Sequence, residues 1–265
     1  MAGGQRRKGA VLATTHPAWE AAKAHRRNLD HDEAIRESVQ LQNQFRTLWG
    51  DGMAPSPVDL IQILRTLTQR KIAFVLTGAH ALGGWTGRPR STQDVDILVK
   101  AGRNHARAVK ALRELYPHLE VRSLPGVTAF FPPGEKESIL DVAYPHRADL
   151  EETLHHPVWV ENKTLGLRYR IPSLEAALAN KYGAMISPSR DPRKRGQDAL
   201  DFAWMVTHSL DEGQQPIDLK KLATYGEKVW AGGGGEEILR LVEQAQAGQL
   251  INIHEIEQSG GRKGK

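Results

Sequence analysis

Three aspartates in two short apolar runs are the side chains of this sequence best suited to chemistry. In Asp94-Val-Asp-Ile-Leu-Val the two-residue period of a strand places Asp94 and Asp96 on one face, about 6.6 Å apart, and turns Val95 and Ile97 toward the core. Paired carboxylates at that spacing suit a hard, oxygen-ligated cation such as Mg²⁺. Asp141 lies inside Ser138-Ile-Leu-Asp-Val-Ala, where a carboxylate is costly unless a metal, a cation or a hydrogen-bond network satisfies it. Three converging carboxylates can hold two Mg²⁺ ions about 3.5–4 Å apart and clamp the attacking and leaving oxygens of an in-line phosphoryl displacement. Spacing alone leaves a plainer arrangement open, with Asp94 and Asp96 as edge-strand acids paired with Arg88 and Arg90, and Asp141 in a buried salt bridge.

Two further features bear on phosphate. Phe74-Val-Leu-Thr-Gly-Ala-His reads as a strand that ends at Gly78 and runs directly into a helix, which collects free N–H groups and the positive end of a helix dipole at one point. Lys181 belongs to a second helix capped by Ser173, in which Leu174, Leu178, Lys181 and Met185 fall at helical spacing. A lysine in that apolar stripe either pairs with a phosphate or with Asp198 on the next helix, or snorkels from the stripe's edge. Asp198 and Asp201 also lie at helical spacing from Lys194 and Arg195, so local pairing is open for them. His80 reads as a packed or exposed helical residue, His155-His156 as loop surface, and Trp159 and Trp204 as core. There is no Gly-x-x-x-x-Gly-Lys-Ser/Thr loop and no Gly-x-Ser-x-Gly elbow.

The elements that must carry these residues form a mixed pattern. A basic tail of about a dozen residues precedes a polar helical stretch from Pro17 to Trp49, and Gly50-Asp-Gly-Met-Ala-Pro-Ser-Pro breaks the chain. A helix over Val58 to Arg70 opens the core. Strands at Lys71 to Thr77, Asp94 to Val99, Val127 to Phe131 and Ser138 to Ala143 alternate with helices near Ala79 to Trp85 and His105 to Leu115. From Ser173 onward the pattern is helical, with Leu174 to Ile186 and Arg193 to His208 as the clearest helices. Ala231-Gly-Gly-Gly-Gly reads as a flexible connector before a helix begun by Glu236 and Glu237. The organisation expected is thus a tail and helical extension over 1–54, a core over 55–172 and a helical subdomain over 173–265.

Composition narrows the class. The chain has 265 residues and no cysteine, which excludes disulfides, zinc–thiolate and iron–sulfur sites and a cysteine nucleophile. With 40% hydrophobic and 25% charged residues, and a mean hydropathy of −0.48, an integral membrane protein is excluded. The apolar stretch after the basic start breaks off too soon for a signal peptide. A cytoplasmic protein is expected. The net charge of +5 suits an anionic partner, and the basic residues gather near the start and again at Lys181, Arg190, Arg193, Lys194 and Arg195.

Gly78, the short helix after it, and Arg90-Ser-Thr-Gln-Asp94-Val-Asp96 followed by apolar residues resemble the signature of the DNA polymerase beta-type nucleotidyltransferases. Within that superfamily the likeness is greater to the branch holding the AbiEii-type toxins, in which a later lysine and a basic Asp-x-x-Asp helix recur. The resemblance spans about Val58 to His208. It implies an α/β (α+β) mixed-sheet nucleotidyltransferase fold, Mg²⁺ as two ions, and a nucleoside triphosphate donor. Asp94, Asp96 and Asp141 would then be metal ligands, with Asp141 beside the attacking hydroxyl. Gly78 and Ala79 would lie against the triphosphate, where Ala79 replaces the usual glycine or serine and leaves only backbone amides. Arg88, Arg90 and Lys181 would neutralise its charge, and Asp198 would act beside Lys181. Gln197 stands where a basic residue is frequent. The implied acceptor is RNA, with a tRNA end foremost and a protein hydroxyl as another option, and a cognate antitoxin is an implied partner. The rival expectations are a catalytically silent nucleotide- or RNA-binding module and a small-molecule, antibiotic-type nucleotidyltransferase.

Overall fold

The computed structural model describes residues 29–48, 58–89, 92, 94–163 and 166–251. The basic tail, the start of the helical extension, the break after Trp49 and the phosphate-site candidate Arg90 lie outside the described residues.

The chain begins with helix α1 (His31–Leu48) and helix α2 (Leu60–Gln69). Asp30 Oδ1 accepts from the Glu33 N–H at 2.7 Å and opens α1. Asp59 caps α2 by accepting from the N–H groups of Ile61 and Gln62, the role short acidic side chains play at helix starts. Strand β1 (Phe74–Thr77) leads without a loop into helix α3 (Gly78–Thr86), and strand β2 (Val95–Val99) follows. Helix α4 (Arg103–Leu115) then crosses over to strands β3 (Glu120–Leu124), β4 (Val127–Phe131) and β5 (Leu140–Ala143).

These strands make one mixed sheet in the order β1-β2-β5-β4-β3. Its central pair, β2 and β5, is parallel, and its other neighbours are antiparallel. A parallel pair needs a long crossover, which α4, β3 and β4 supply. Helix α5 (Ala148–His155) leads to a separate hairpin of β6 (Val158–Asn162) and β7 (Leu167–Ile171). Four helices complete the chain: α6 (Leu174–Met185), α7 (Pro192–His208), α8 (Leu219–Val229) and α9 (Gly234–Gln246). A single cluster of buried apolar side chains runs from Ile35 through the sheet to Ala245. Among the described residues no helix is long and apolar enough to cross a membrane.

Helix α3 sits between α1 and α7. A β-carbon at Gly83 would come within 2.7 Å of the Ala34 methyl, so α1 and α3 touch almost backbone to backbone. His31 stands edge-on to Trp85 with ring centroids 4.2 Å apart, and Ser38 Oγ and His80 Nδ1 share a 2.9 Å hydrogen bond. His80 is therefore a buried tie between two helices, the packed one of the two states open for it.

The structure corrects three expectations. Strand β1 starts at Phe74 rather than Lys71, because Lys71 adopts φ +52 and its N–H closes a turn on Thr68 O at 2.9 Å. The glycine run is no flexible connector. Gly234 and Gly235 form the first turn of α9, and a β-carbon at Gly235 would stand 2.8 Å from Ala223 O of α8. The Glu227 carboxylate accepts from the N–H groups of Gly232, Gly233 and Gly235, so the anion site made by this run is filled from within the chain. Trp159, expected in the core, is 54% exposed.

Candidate active site

The local geometry begins at the junction of β1 and α3. Gly78 has φ +64, a left-handed conformation that glycine adopts at little cost. A β-carbon there would land on Asp96 Oδ2, so the chain turns into α3 directly against that carboxylate. Thr77, the N-cap residue, makes no side-chain capping bond; its hydroxyl instead donates to Asp96 O at 3.2 Å. The N–H groups at the start of α3 are thus left for a ligand, and Gly78 and Ala79 both line the cleft.

The sheet register supplies the acids. Asp96 pairs with Asp141 across the parallel strands β2 and β5, so the two residues stand side by side. Asp94 immediately precedes β2, and the Thr92 hydroxyl donates to its Oδ1. Burial, and then the charges of Asp94 and Asp141, push the Asp96 carboxyl up to about 7, against the pull of Lys181 and Arg190. Burial likewise raises Asp141, helped by Asp94 and opposed by a Ser138 hydrogen bond and the charge of Lys194. Asp141 Oδ1 is buried without a hydrogen-bond partner. Such crowding of carboxylates is costly without a cation.

Helices α6 and α7 bring the positive charge. Lys181 Nζ donates to Asp198 Oδ1 at 2.7 Å and to Asp201 Oδ2 at 2.6 Å, and its side chain is 13% exposed. Arg190 Nε donates to Asp198 Oδ2 at 2.5 Å, while Gln197 Nε2 donates to Asp201 Oδ1 at 3.0 Å. Of the pairings open for Lys181, the structure adopts the one with Asp198 and adds Asp201. A lysine with three donors that uses two on carboxylates keeps one for the cleft.

A cleft of about 360 Å³ joins these groups, lined by Gly78, Ala79, Asp94, Asp96, Asp141, Lys181 and Asp198 among others. Seven of the nine residues singled out from sequence thus meet in one place. Arg88 does not join them: its guanidinium lies over the Trp204 ring, 5.0 Å from the centroid, and it is absent from the cleft wall. Arg190, Lys194, Ser138 and Glu137 line the cleft although the sequence did not single them out. For Arg190 and Lys194 the signal was present in the basic cluster of 190–195; Ser138, expected to open the strand, lies with Glu137 in the loop before β5, which starts at Leu140.

Among the described residues no three acidic or imidazole side chains are drawn together tightly enough to enclose an ion. The donor set nevertheless fits a hard divalent cation, being all oxygen, mutually repelling, and including the unpartnered Asp141 Oδ1.

Comparison with solved structures finds distant likenesses. An antigenic nucleotidyltransferase-like protein from Paracoccidioides brasiliensis is 16% identical, with a TM-score of 0.41, over 71% of this chain and 92% of that one. JHP933 from Helicobacter pylori is 17% identical, with a TM-score of 0.38, over 75% and 90%. ANT(2")-Ia, solved with adenylyl-2"-tobramycin, is 15% identical, with a TM-score of 0.40, over 70% and 93%. No curated protein matches the sequence. The model of the nucleotidyl transferase AbiEii toxin of type IV toxin–antitoxin systems matches residues 62–245, a span that runs from α2 to α9 and encloses the whole cleft. The chain belongs to this AbiEii nucleotidyltransferase family.

Proposed function

We propose that this cleft takes a nucleoside triphosphate, transfers its nucleotidyl group to a hydroxyl of an RNA acceptor, a tRNA end foremost, and releases pyrophosphate. The observation that carries the reading is the juxtaposition of Asp96 and Asp141 in register at the uncapped start of α3. The triphosphate lies against Gly78 and the Ala79 amide, where the helix start favours negative charge. Lys181 and Arg190 stand across the cleft and offset the charge of the phosphates. Asp141, its proton affinity raised by burial, accepts the proton of the acceptor hydroxyl. The freed oxygen attacks the α-phosphorus, a new P–O bond forms, and the bond to the bridging oxygen of pyrophosphate breaks. Asp94, Asp96 and Asp141 would hold Mg²⁺, which when bound supplies Lewis-acid stabilisation of the attacking and leaving oxygens.

Arg190 and Lys194 on the cleft wall offer cationic contacts to a polyanionic acceptor, beside the acidic residues Asp94, Asp96, Glu137, Asp141 and Asp198. Retention of all three aspartates speaks against a silent binding module. As a member of a toxin–antitoxin family, the protein is read as acting in the cytoplasm, with a cognate antitoxin as its partner.

The reading is tested by incubating the full chain with each labelled nucleoside triphosphate, Mg²⁺ and total RNA, beside Asp96→Ala. Label entering RNA with wild type and lost in the variant is the expected result. Equal label in both, or none in either, overturns it.

A further inference from the structure

We propose that the outer face of the β6–β7 hairpin is a docking platform for single-stranded RNA, built on Trp159, Arg168 and Arg170. The inference deepens the reading of the cleft as one that serves an RNA acceptor, and rests on it for the identity of the nucleic acid.

The hairpin alternates. Val160, Leu167, Tyr169 and Ile171 are buried beneath it, which turns Trp159 and Arg168 outward. Among the described residues Trp159 is the only large aromatic side chain left exposed, at 54%. In the register Trp159 faces Arg170, with Arg168 on the diagonal. Both guanidinium groups lie over the indole, Arg168 at 4.4 Å and Arg170 at 5.5 Å from the ring centroid.

This arrangement is rigid where it needs to be. Arg170 Nε donates to Phe74 O at 2.8 Å, which ties the hairpin to the start of β1. Among the described residues neither Arg168 nor Arg170 is paired with a carboxylate, although Glu161 faces Arg168 in the register. The spare N–H donors therefore remain for another acceptor. Lys163, in the turn, is also exposed.

An exposed indole with two guanidinium groups over it matches the chemistry of a single strand. Bases stack on aromatic rings and on guanidinium planes alike, while the same guanidinium edges reach phosphate oxygens. An acidic protein surface would use the charges but leaves the exposed part of the indole with no counterpart. The repeat of base and phosphate along RNA uses both.

The test is the anisotropy of a fluorescein-labelled, mixed-sequence single-stranded RNA of about 20 nucleotides titrated with the full chain at moderate salt. Trp159→Ala and Arg168→Glu are expected to weaken binding about tenfold, within the range for loss of one stacked base. Trp159→Phe should stay within about threefold of wild type because it keeps a π-face. The binding of a fluorescent ATP analogue with Mg²⁺ should be unchanged in all three variants, which separates the platform from the cleft and from misfolding. RNA affinity of Trp159→Ala within about twofold of wild type, or no RNA binding by wild type, overturns the proposal and leaves the indole for a protein partner. If RNA binding depends on Trp159 while no label is transferred to RNA, the platform stands and the catalytic reading falls.

Discussion

Gly78 and Asp96 touch: the turn from β1 into α3 leaves no room for a side chain between its backbone and the carboxylate on β2. The close approach holds the acidic centre and the phosphate-binding helix start together, so a methyl group at position 78 must displace one of them. Gly78→Ala is expected to lower nucleotidyl transfer by at least about a hundredfold. Its φ of +64 adds a backbone cost of about 1 kcal/mol for a residue bearing a β-carbon. Transfer rates and a thermal melt read the two effects separately. A variant that transfers at the wild-type rate would show that the contact is dispensable.

Asp96 is expected to cost the empty protein stability. Its folded-state pKa is raised to about 7 by burial and by Asp94 and Asp141. A group raised in the fold contributes stability that is lost as pH rises through that value, so at pH 8 the native state carries the full penalty. Asp96→Asn should therefore raise the melting temperature at pH 8 while abolishing transfer. Millimolar Mg²⁺ should stabilise wild type and leave the variant unmoved. A variant that melts lower than wild type would mean that Asp96 is held by attraction instead.

The site was more legible than the surroundings, for a physical reason. Asp94, Asp96 and Asp141 stand out because charge inside an apolar strand violates the local pattern, and Lys181 stands out in the same way on α6. Gly78 was legible from the abrupt strand-to-helix junction. The partners of these residues depend on register and helix packing, which spacing does not encode. Asp201 and Arg190 reach Lys181 and Asp198 only once α6 and α7 pack, and Arg88 turns to Trp204 because that ring lies beside it in the fold. The glycine run misled because glycine serves flexible linkers and tight helix crossings equally. Only the Glu227 carboxylate beneath Gly232 and Gly235 tells them apart. Trp159 misled because burial is the common fate of tryptophan, and nothing in the sequence says that the outer face of the hairpin is bare.

Lys181 neutralises two nearly buried carboxylates at once. Removing it alone leaves Asp198 to Arg190 and takes from Asp201 its shortest charged contact. Lys181→Met is expected to destabilise the fold by about 3 kcal/mol, in the range for breaking one side of a buried pair. Adding Asp201→Asn to that variant should restore part of the loss, because one of the two carboxylates that Lys181 serves is neutralised with it. Transfer activity should stay absent in both, since the ammonium that faces the cleft is gone in each. Denaturant melts and labelled-nucleotide transfer decide the matter. Strict additivity of the two substitutions would show that Lys181 and Asp201 are not coupled.

His31 makes the packing of α1 sensitive to acid. Burial against Gly84 and Trp85 in the last turn of α3 lowers its pKa from 6.5 to about 4, with Asp30 pulling the other way. Its Nδ1 is buried without a hydrogen-bond partner, so the neutral ring is the form that fits. Above pH 6.5 neither the folded nor the unfolded chain protonates it. As pH falls from 6.5 toward 4 the unfolded chain gains a proton that the folded chain refuses, and stability drops across that window. The full loss is about 3 kcal/mol, and it should appear first as exposure of α1, since His31 lies in the first turn of that helix. His31→Phe keeps the edge-on contact with Trp85 and has nothing to titrate. The difference in stability between wild type and His31→Phe, followed by denaturant melts at pH 7, 6 and 5, should therefore shift steadily in favour of the variant as the pH is lowered. Parallel curves for the two proteins would mean that His31 is already solvated in the native state and that α1 is held by Ala34, Ile35 and Ser38 alone.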